Sequence, residues 1–135
     1  MVDASVAVKW LLPEVHSAAA LTLLNAATIL HAPDLLYPEV ANALWKRVRS
    51  GEIAVDKAKD LLAWLSTLPL TLHPSLPLIL SATDIACRYD RTVYDSIYLA
   101  LAVREGVALV TADRKLVSAL TGTPMATSVL LVSDL

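Results

Sequence analysis

The sequence predicts an α/β fold of three layers, in which helices cover both faces of a central, mainly parallel sheet of about five strands. Two observations support this prediction. Helical patterns of apolar residues alternate along the chain with short apolar runs, and continuous runs of this kind are typical of strands buried on both faces. With 135 residues, 56% of them hydrophobic and 18% charged, the chain is long enough for one domain with a large core. We therefore expect a single domain spanning residues 1–135.

Helices are predicted where apolar residues repeat at helical spacing. The three clearest segments are residues 36–50, 55–68 and 94–105. Gly51 and Gly106 follow the first and the third, where a left-handed residue commonly ends a helix. Further helices are predicted after Pro77 and after Asp113. Cys87 also lies within an apolar helical pattern, so we expect its thiol to be buried and inert.

Strands are predicted from four short apolar runs between the helices. The runs are residues 29–31, 70–72, 107–110 and 128–132. In a parallel sheet with helical crossovers, ligands bind beyond the carboxyl ends of the strands. Asp3 directly follows the N-terminal apolar residues, and Asp113 comes three positions after Val110. Both acids are therefore expected at the chemically active edge of the sheet.

Residues 61–83 carry no charge, and by length alone such a stretch could span a bilayer. Pro69, Pro74 and Pro77 interrupt this stretch, and each would remove a helical hydrogen bond. We therefore predict no membrane span. No basic segment precedes an apolar run near Asp3, so no signal peptide is expected, and the predicted location is the cytoplasm.

Four carboxylates occupy the positions where this fold would place a ligand. Glu39 and Asp95 fall in the first turns of predicted helices, where the helix dipole by itself favours an acid. Asp113 has an equally ordinary interpretation as a helix N-cap. Asp3 differs, because a carboxylate at the end of a buried strand costs desolvation energy unless a cation or hydrogen bonds offset it. Taken singly, only Asp3 points clearly to a ligand.

Four segments around these acids resemble the acidic motifs of PIN-domain nucleases. The segments are VDASVAVKW at 2–10, PEVANAL at 38–44, TVYDSIYLALA at 92–102 and VTADRKL at 110–116. Each segment alone is a weak signal, whereas four in this order along alternating strands and helices are a strong one. The chain is most similar to the short PIN proteins that act as toxins of the VapBC toxin–antitoxin type.

The resemblance implies which residues form the site. It identifies Asp3, Glu39, Asp95 and Asp113 as an acidic quartet that binds Mg²⁺ or Mn²⁺. It adds three accessory residues, Ser5, Thr111 and Asn42, although Asn42 would serve equally well as a surface amide or in a helix-bonding role. The implied activity is that of a metal-dependent endoribonuclease that hydrolyses RNA phosphodiester bonds.

Carboxylates, Mg²⁺ and phosphates suit one another chemically. Four neighbouring carboxylates repel, and an oxygen-preferring divalent cation relieves that repulsion while phosphate oxygens complete its coordination shell. The formal net charge is −2, but without the quartet nine acids remain against 11 basic residues. Candidate phosphate contacts are Lys46, Arg47, Arg91 and Arg114, and the run around Lys46 equally suits a solvated helix face.

Partner surfaces are predicted from the first two long helices. They carry more apolar side chains than one small sheet obviously covers, namely Trp45, Leu61, Leu62, Trp64 and Leu65. The resemblance implies a homodimer, silenced by a cognate VapB-type antitoxin whose C-terminal segment enters the acidic groove.

Three other interpretations remain. A phosphatase-like fold with Asp3 as nucleophile needs a second aspartate two residues later, and Ser5 stands there instead. A non-catalytic PIN-like adapter would bind RNA or protein without cutting, but degenerate members usually lack some of the acids. A housekeeping or DNA-directed PIN nuclease would use the same chemistry on another substrate.

Overall fold

A computed structural model of the chain describes residues 1–26 and 29–135. Within these residues the helices and strands alternate much as the sequence predicts. The helices are α1 (Ala4–Leu11), α2 (Ser17–Asn25), α3 (Leu36–Arg49), α4 (Val55–Leu65), α5 (Ile79–Tyr89), α6 (Val93–Glu105) and α7 (Arg114–Leu120), with single 3₁₀ turns at Leu76–Leu78, Ala126–Ser128 and Val132–Asp134. The strands are β1 (Leu30–Pro33), β2 (Leu70–His73), β3 (Leu109–Thr111) and β4 (Val129–Leu131).

The strands form two parallel pairs, joined by the first residues of the chain. β1 pairs with β2, and β3 pairs with β4. Between them, the N–H of Val2 donates a 3.1 Å hydrogen bond to the carbonyl of His31, and the N–H of Val110 donates one of 2.8 Å to Met1. The spatial order is therefore β2, β1, the N-terminal residues, β3 and β4. Helices and parallel strands together make the predicted three-layer α/β/α fold.

Helix α6 lies at the centre of the packing. Its residues from Ser96 to Ala102 are all buried, and it contacts α5, β1 and β3. Thr92 caps its first turn, and Gly106 ends it in the left-handed region at φ 66°. Fully buried leucines such as Leu99 each contribute about 1.5–3 kcal/mol of stabilisation. This helix holds Asp95 at its amino end and fixes that acid relative to the sheet.

The observed elements differ from the predicted ones mainly at their ends. The predicted helix 55–68 ends at Leu65, because Ser66 and the following turn precede Pro69. The predicted strand 107–110 begins only at Leu109, since the N–H of Val107 still bonds to the last turn of α6. Helices α1 and α2 were not singled out from the sequence.

Two side chains contradict their predicted burial. Cys87 was expected in the core but is exposed, because α5 buries Ala82 and Ala86 on one face and Cys87 lies about 100° away around the helix. Leu65 was expected on an exposed apolar face but is 0% exposed. Among the described residues, no helix is long and apolar enough to cross a membrane.

Candidate active site

Asp3 connects the sheet to α1. Its backbone is extended (φ −101°, ψ 178°), and its Oδ1 caps the helix by accepting a 3.1 Å hydrogen bond from the N–H of Val6. The hydroxyls of Ser5, at 2.6 Å, and of Thr111 also donate to this carboxylate. Burial raises the pKa of Asp3, and these hydrogen bonds offset only part of that effect. Asp3 therefore also has an ordinary helix-terminal role, as the N-cap of α1, which the sequence alone did not indicate.

Thr111 links the first acid of the quartet to the last. Its hydroxyl donates to Oδ2 of Asp3 and accepts a 3.0 Å hydrogen bond from the N–H of Asp113. Asp113 in turn caps α7, because its Oδ1 accepts from the N–H groups of Lys115 and Leu116 at 2.8 and 3.1 Å. Thr111 is fully buried, so it acts by positioning other groups.

Glu39 lies in the first turn of α3 and faces α6. The phenolic hydroxyl of Tyr98 donates a 2.5 Å hydrogen bond to its Oε2. Burial raises the pKa of Glu39, the Tyr98 hydrogen bond lowers it, and the nearby charges of Asp3 and Asp95 raise it again, leaving it above its usual range. Burial and the Glu39 charge also raise the pKa of Tyr98, so this hydroxyl keeps its proton.

Asp95 enters the site from the amino end of α6. It lies in the first turn, and its N–H donates a 3.0 Å hydrogen bond to the hydroxyl of Thr92, which caps the helix. The positive end of the helix dipole favours a carboxylate here. Asp95 is partly buried, whereas Asp113 is exposed.

All four acids line one open cleft with a volume of about 520 Å³. The cleft lies at the carboxyl edge of the sheet, as the positions of Asp3 and Asp113 predict. Of the predicted accessory residues, Ser5 and Asn42 also line it, and Thr111 reaches it through Asp3. Its other polar or charged lining residues are Lys9, Glu14, Lys46, Arg47 and Tyr98.

The basic residues predicted to contact substrate divide into two groups. Lys46 and Arg47 line the cleft, whereas Arg91 and Arg114 are not among its lining residues. The side chain of Arg91 instead donates to the backbone carbonyl of Tyr89 at 3.2 Å, and Arg114 is exposed at the start of α7.

Two side chains that line the cleft, Tyr98 and Glu14, were not predicted from the sequence. Tyr98 follows Asp95 by one helical turn, and this spacing places both on one side of α6. Glu14 lies between two cations, accepting from the Lys9 ammonium at 3.1 Å and pairing with Arg47. Nothing in the sequence indicates this pairing, because Glu14 and Arg47 are separated by 33 positions.

The donor set of the cleft fits a hard divalent cation. The carboxylates of Asp3, Glu39, Asp95 and Asp113 supply only oxygen, which Mg²⁺ and Mn²⁺ prefer, and the cleft is open enough to admit water and a phosphate. The raised pKa values of Asp3 and Glu39 mean that burial opposes their ionisation. A cation bound between the carboxylates would relieve that cost, and the buried hydroxyls of Thr111 and Tyr98 would hold two of them in place.

Comparisons with known proteins agree with this geometry. Residues 1–119 match the protein family described as PIN domain. The chain is 37% identical over 118 residues to Ribonuclease VapC3 of Pyrobaculum aerophilum, covering 86% of this chain and 90% of that protein. It is 36% identical over 119 residues to Ribonuclease VapC1 of Mycobacterium tuberculosis, covering 88% of this chain and 89% of that protein.

A solved structure shares the fold. The crystal structure of PAE2754 from Pyrobaculum aerophilum matches with a TM-score of 0.72 and 26% sequence identity, covering 98% of this chain and 83% of that one. The match extends over the sheet and both helical layers, so the architecture inferred from the sequence is confirmed.

Proposed function

Since this chain belongs to the PIN-domain family, we propose that it is an Mg²⁺- or Mn²⁺-dependent endoribonuclease, the toxin of a VapBC-type toxin–antitoxin pair. The observation that carries the proposal is the convergence of Asp3, Glu39, Asp95 and Asp113 on one cleft. The relatives named ribonuclease support RNA as the substrate. The reaction is hydrolysis of an RNA phosphodiester bond.

In this proposal the four acids have different roles at the metal site. Asp3, Glu39 and Asp95 are the primary ligands, while the more exposed Asp113 completes a second site or orients the attacking water. When bound, the cation supplies Lewis-acid chemistry at the phosphate and activates that water. Two of these carboxylates, Asp3 and Glu39, are themselves held by hydroxyl groups, so little reorganisation of them is needed when substrate binds.

The positioning residues act through these acids. Thr111 and Ser5 fix the Asp3 carboxylate from two sides, and Tyr98 fixes Glu39. Asn42 lines the same wall as Glu39, one helical turn further along α3, where its amide can donate to or accept from the substrate.

The substrate backbone would run along the basic wall of the cleft. Lys46 and Arg47 line the cleft together with Lys9. Cations in the same cleft as the acids suit the phosphates that flank the scissile bond. Arg91 and Arg114 remain candidates for phosphates further along the strand.

A cognate VapB-type antitoxin and a second copy of the chain are the proposed protein partners. A cationic antitoxin side chain would suit the acidic floor of the cleft. The homodimer surface would use the apolar side chains that α3 and α4 leave exposed, chiefly Trp45 at 49% and Trp64 at 43% exposure.

Cleavage of labelled RNA tests the enzymatic part of the proposal. Wild type should cut in Mg²⁺ or Mn²⁺ and stop on addition of EDTA, and Asp95→Asn should lose activity. Asp84→Asn, which changes an exposed acid on α5 outside the cleft lining, is the matched control and should cut normally. RNA that is bound but never cut by wild type would favour the adapter instead, and cleavage surviving both EDTA and Asp95→Asn would exclude a metal nuclease.

A further inference from the structure

A second group of potential metal ligands lies outside the carboxylate cleft. It consists of His31 on β1, His73 at the end of β2 and Glu105 at the end of α6. Each offers one ligand atom, and these atoms lie within 4.8 Å of one another. Asp95 and Glu105 are ten residues apart on α6, or about 15 Å along the helix. The histidine group is therefore separate from the proposed nuclease site.

The two imidazoles are already in direct contact. Nδ1 of His31 and Nε2 of His73 are 2.9 Å apart, and the ring centroids are separated by 5.1 Å. When a proton lies between two imidazole nitrogens, the N–H of one ring donates a hydrogen bond to the lone pair of the other. Two nitrogen lone pairs that can be turned towards the same gap are also what a transition metal requires.

Arg104 supplies the positive charge in the present arrangement. Its guanidinium contacts Nδ1 of His73 at 2.9 Å and Oε1 of Glu105 at 2.9 Å. A guanidinium can only donate, so Nδ1 of His73 accepts, and the ring proton is on Nε2, facing His31. The same guanidinium therefore bridges His73 and Glu105, two of the three potential ligands.

The position on the helix favours a cation. Glu105 is the last residue of α6, where the negative end of the helix dipole disfavours an acid and favours a positive charge. The carboxylate of Glu105 and Nδ1 of His73 both face the place that the Arg104 guanidinium now approaches, at the carboxyl end of α6.

We propose that His31, His73 and Glu105 form a second cation site, which takes a divalent transition metal such as Zn²⁺ in exchange for the Arg104 guanidinium. When Arg104 withdraws, Nδ1 of His73 and Oε1 of Glu105, which are 3.7 Å apart, face the space that it leaves, and the ligand atoms of all three residues lie within 4.8 Å of one another. Tetrahedral zinc, with bonds of about 2.0–2.2 Å, places its ligand atoms roughly 3.4 Å apart, so the ligand atoms that now lie up to 4.8 Å apart must move closer. Side-chain rotation supplies this, since Glu105 is 26% exposed.

The ligand chemistry distinguishes this site from the cleft. Two nitrogens and one oxygen suit Zn²⁺, Co²⁺ or Ni²⁺, whereas the all-oxygen cleft suits Mg²⁺ or Mn²⁺. Three protein ligands leave at least one position for water or for a group from another molecule. A bound metal would tie the edge strand β2 to β1 and α6, so it should also stabilise the fold.

Metal titration of the full-length protein tests this site without any nuclease assay. We expect one Zn²⁺ to bind in calorimetry in the presence of saturating Mg²⁺, and Co²⁺ to give a visible absorption band of nitrogen ligation. His73→Gln and Glu105→Gln should each weaken Zn²⁺ binding by at least the roughly tenfold loss that a change beside a metal site causes. Circular dichroism of both variants checks that the fold is retained.

Arg104→Gln is the decisive variant. If Arg104 competes with the metal, its removal should tighten Zn²⁺ binding several-fold and leave the Co²⁺ absorption band intact. Arg88→Gln removes the same charge from an exposed position on α5 and should leave the affinity unchanged. Zinc binding that is equal in wild type, His73→Gln and Glu105→Gln would overturn the proposal, as would an Arg104→Gln variant that binds no more tightly than wild type.

Discussion

The hydroxyl of Tyr98 donates a 2.5 Å hydrogen bond to the carboxylate of Glu39, across 59 positions of the sequence. The bond joins α3 to α6 and determines how a proposed metal ligand is presented to the cleft. Tyr98 is buried and Glu39 is partly buried, so the hydrogen bond is strengthened by its surroundings. The position of the Glu39 carboxylate is therefore fixed by its hydrogen bond to Tyr98 as well as by its place in α3.

Tyr98→Phe should lower kcat/KM for RNA cleavage by about tenfold while leaving the fold intact. Loss of a hydrogen bond to a charged group costs about 1.5–3 kcal/mol, and part of that cost would appear as weaker Mg²⁺ binding. Single-turnover cleavage at several Mg²⁺ concentrations measures both effects. Tyr89→Phe removes a hydroxyl that lies outside the cleft lining and serves as the control. Equal activity in the two variants would show that Tyr98 does not position Glu39.

Glu39→Gln should stabilise the metal-free protein, and more so at higher pH. Glutamine keeps an acceptor for Tyr98 but removes the charge whose burial raises the pKa of Glu39. A carboxyl with a raised folded-state pKa favours folding below its unfolded pKa, and that contribution is lost as pH rises through the folded value. The gain in Tm, measured with EDTA, should be larger at about pH 8 than at about pH 5. A gain that is the same at both pH values would contradict this account, and cleavage activity should fall in either case.

Thr111→Val should reduce both stability and activity. The change keeps the shape of the side chain but removes the hydroxyl that bonds to Asp3 and Asp113, at a cost of about 1.5–3 kcal/mol. Urea unfolding and RNA cleavage measure the two effects. Thr121→Val is the matched control, because the Thr121 hydroxyl bonds only to the last turn of its own helix and is exposed. A Thr111→Val variant as stable and active as the control would rule out this linking role.

Arg47→Ala should weaken RNA binding and reduce its salt dependence, whereas Arg114→Ala should change both much less. Arg47 lines the cleft and Arg114 does not, and each phosphate contact contributes about one unit to the slope of log K against log salt. Fluorescence anisotropy with labelled RNA, in an Asp95→Asn background at several salt concentrations, measures the slope. Equal slopes for the two variants would show that the RNA backbone does not follow the cleft wall that carries Arg47.

Light scattering should give twice the monomer mass at micromolar concentration. Trp45→Glu should shift the protein towards monomer, because a charge in the centre of an apolar interface is costly. Leu80→Glu adds the same charge at another exposed apolar position, 83% accessible on α5, and should leave the dimer intact. A wild-type monomer, or dissociation caused equally by both variants, would argue against the α3–α4 surface as the interface.

Much of the fold was predictable because it rests on local patterns. The helical repeats of α3, α4 and α6 and the short apolar strands are encoded within their own segments. The four acids were found through the order of their motifs. Helix α1 was not, since its eight residues follow a strand-like apolar start, and the capping role of Asp3 was missed with it.

The remaining features depend on packing between distant segments. The partners of Glu39 and Glu14 become neighbours only when α3 meets α6 and the turn after α1. Arg91 and Arg114 are close to acids in the sequence, yet neither is among the residues that line the cleft. The closeness of a basic residue to an acidic motif in the sequence therefore predicts substrate contact less well than the spacing of side chains on a known helix does.

The pairing of residue 2 with residue 110 has a consequence for the newly made chain. Asp3 and the hydroxyl of Thr111 that holds its carboxylate are separated by 108 positions, so Asp3 leaves the ribosome long before the strand beside it. Such a distant contact forms late and slowly. The acids of the cleft are therefore brought together only after the segment from Val110 to Asp113 has been made, and no assembled cleft exists in the cell before that point.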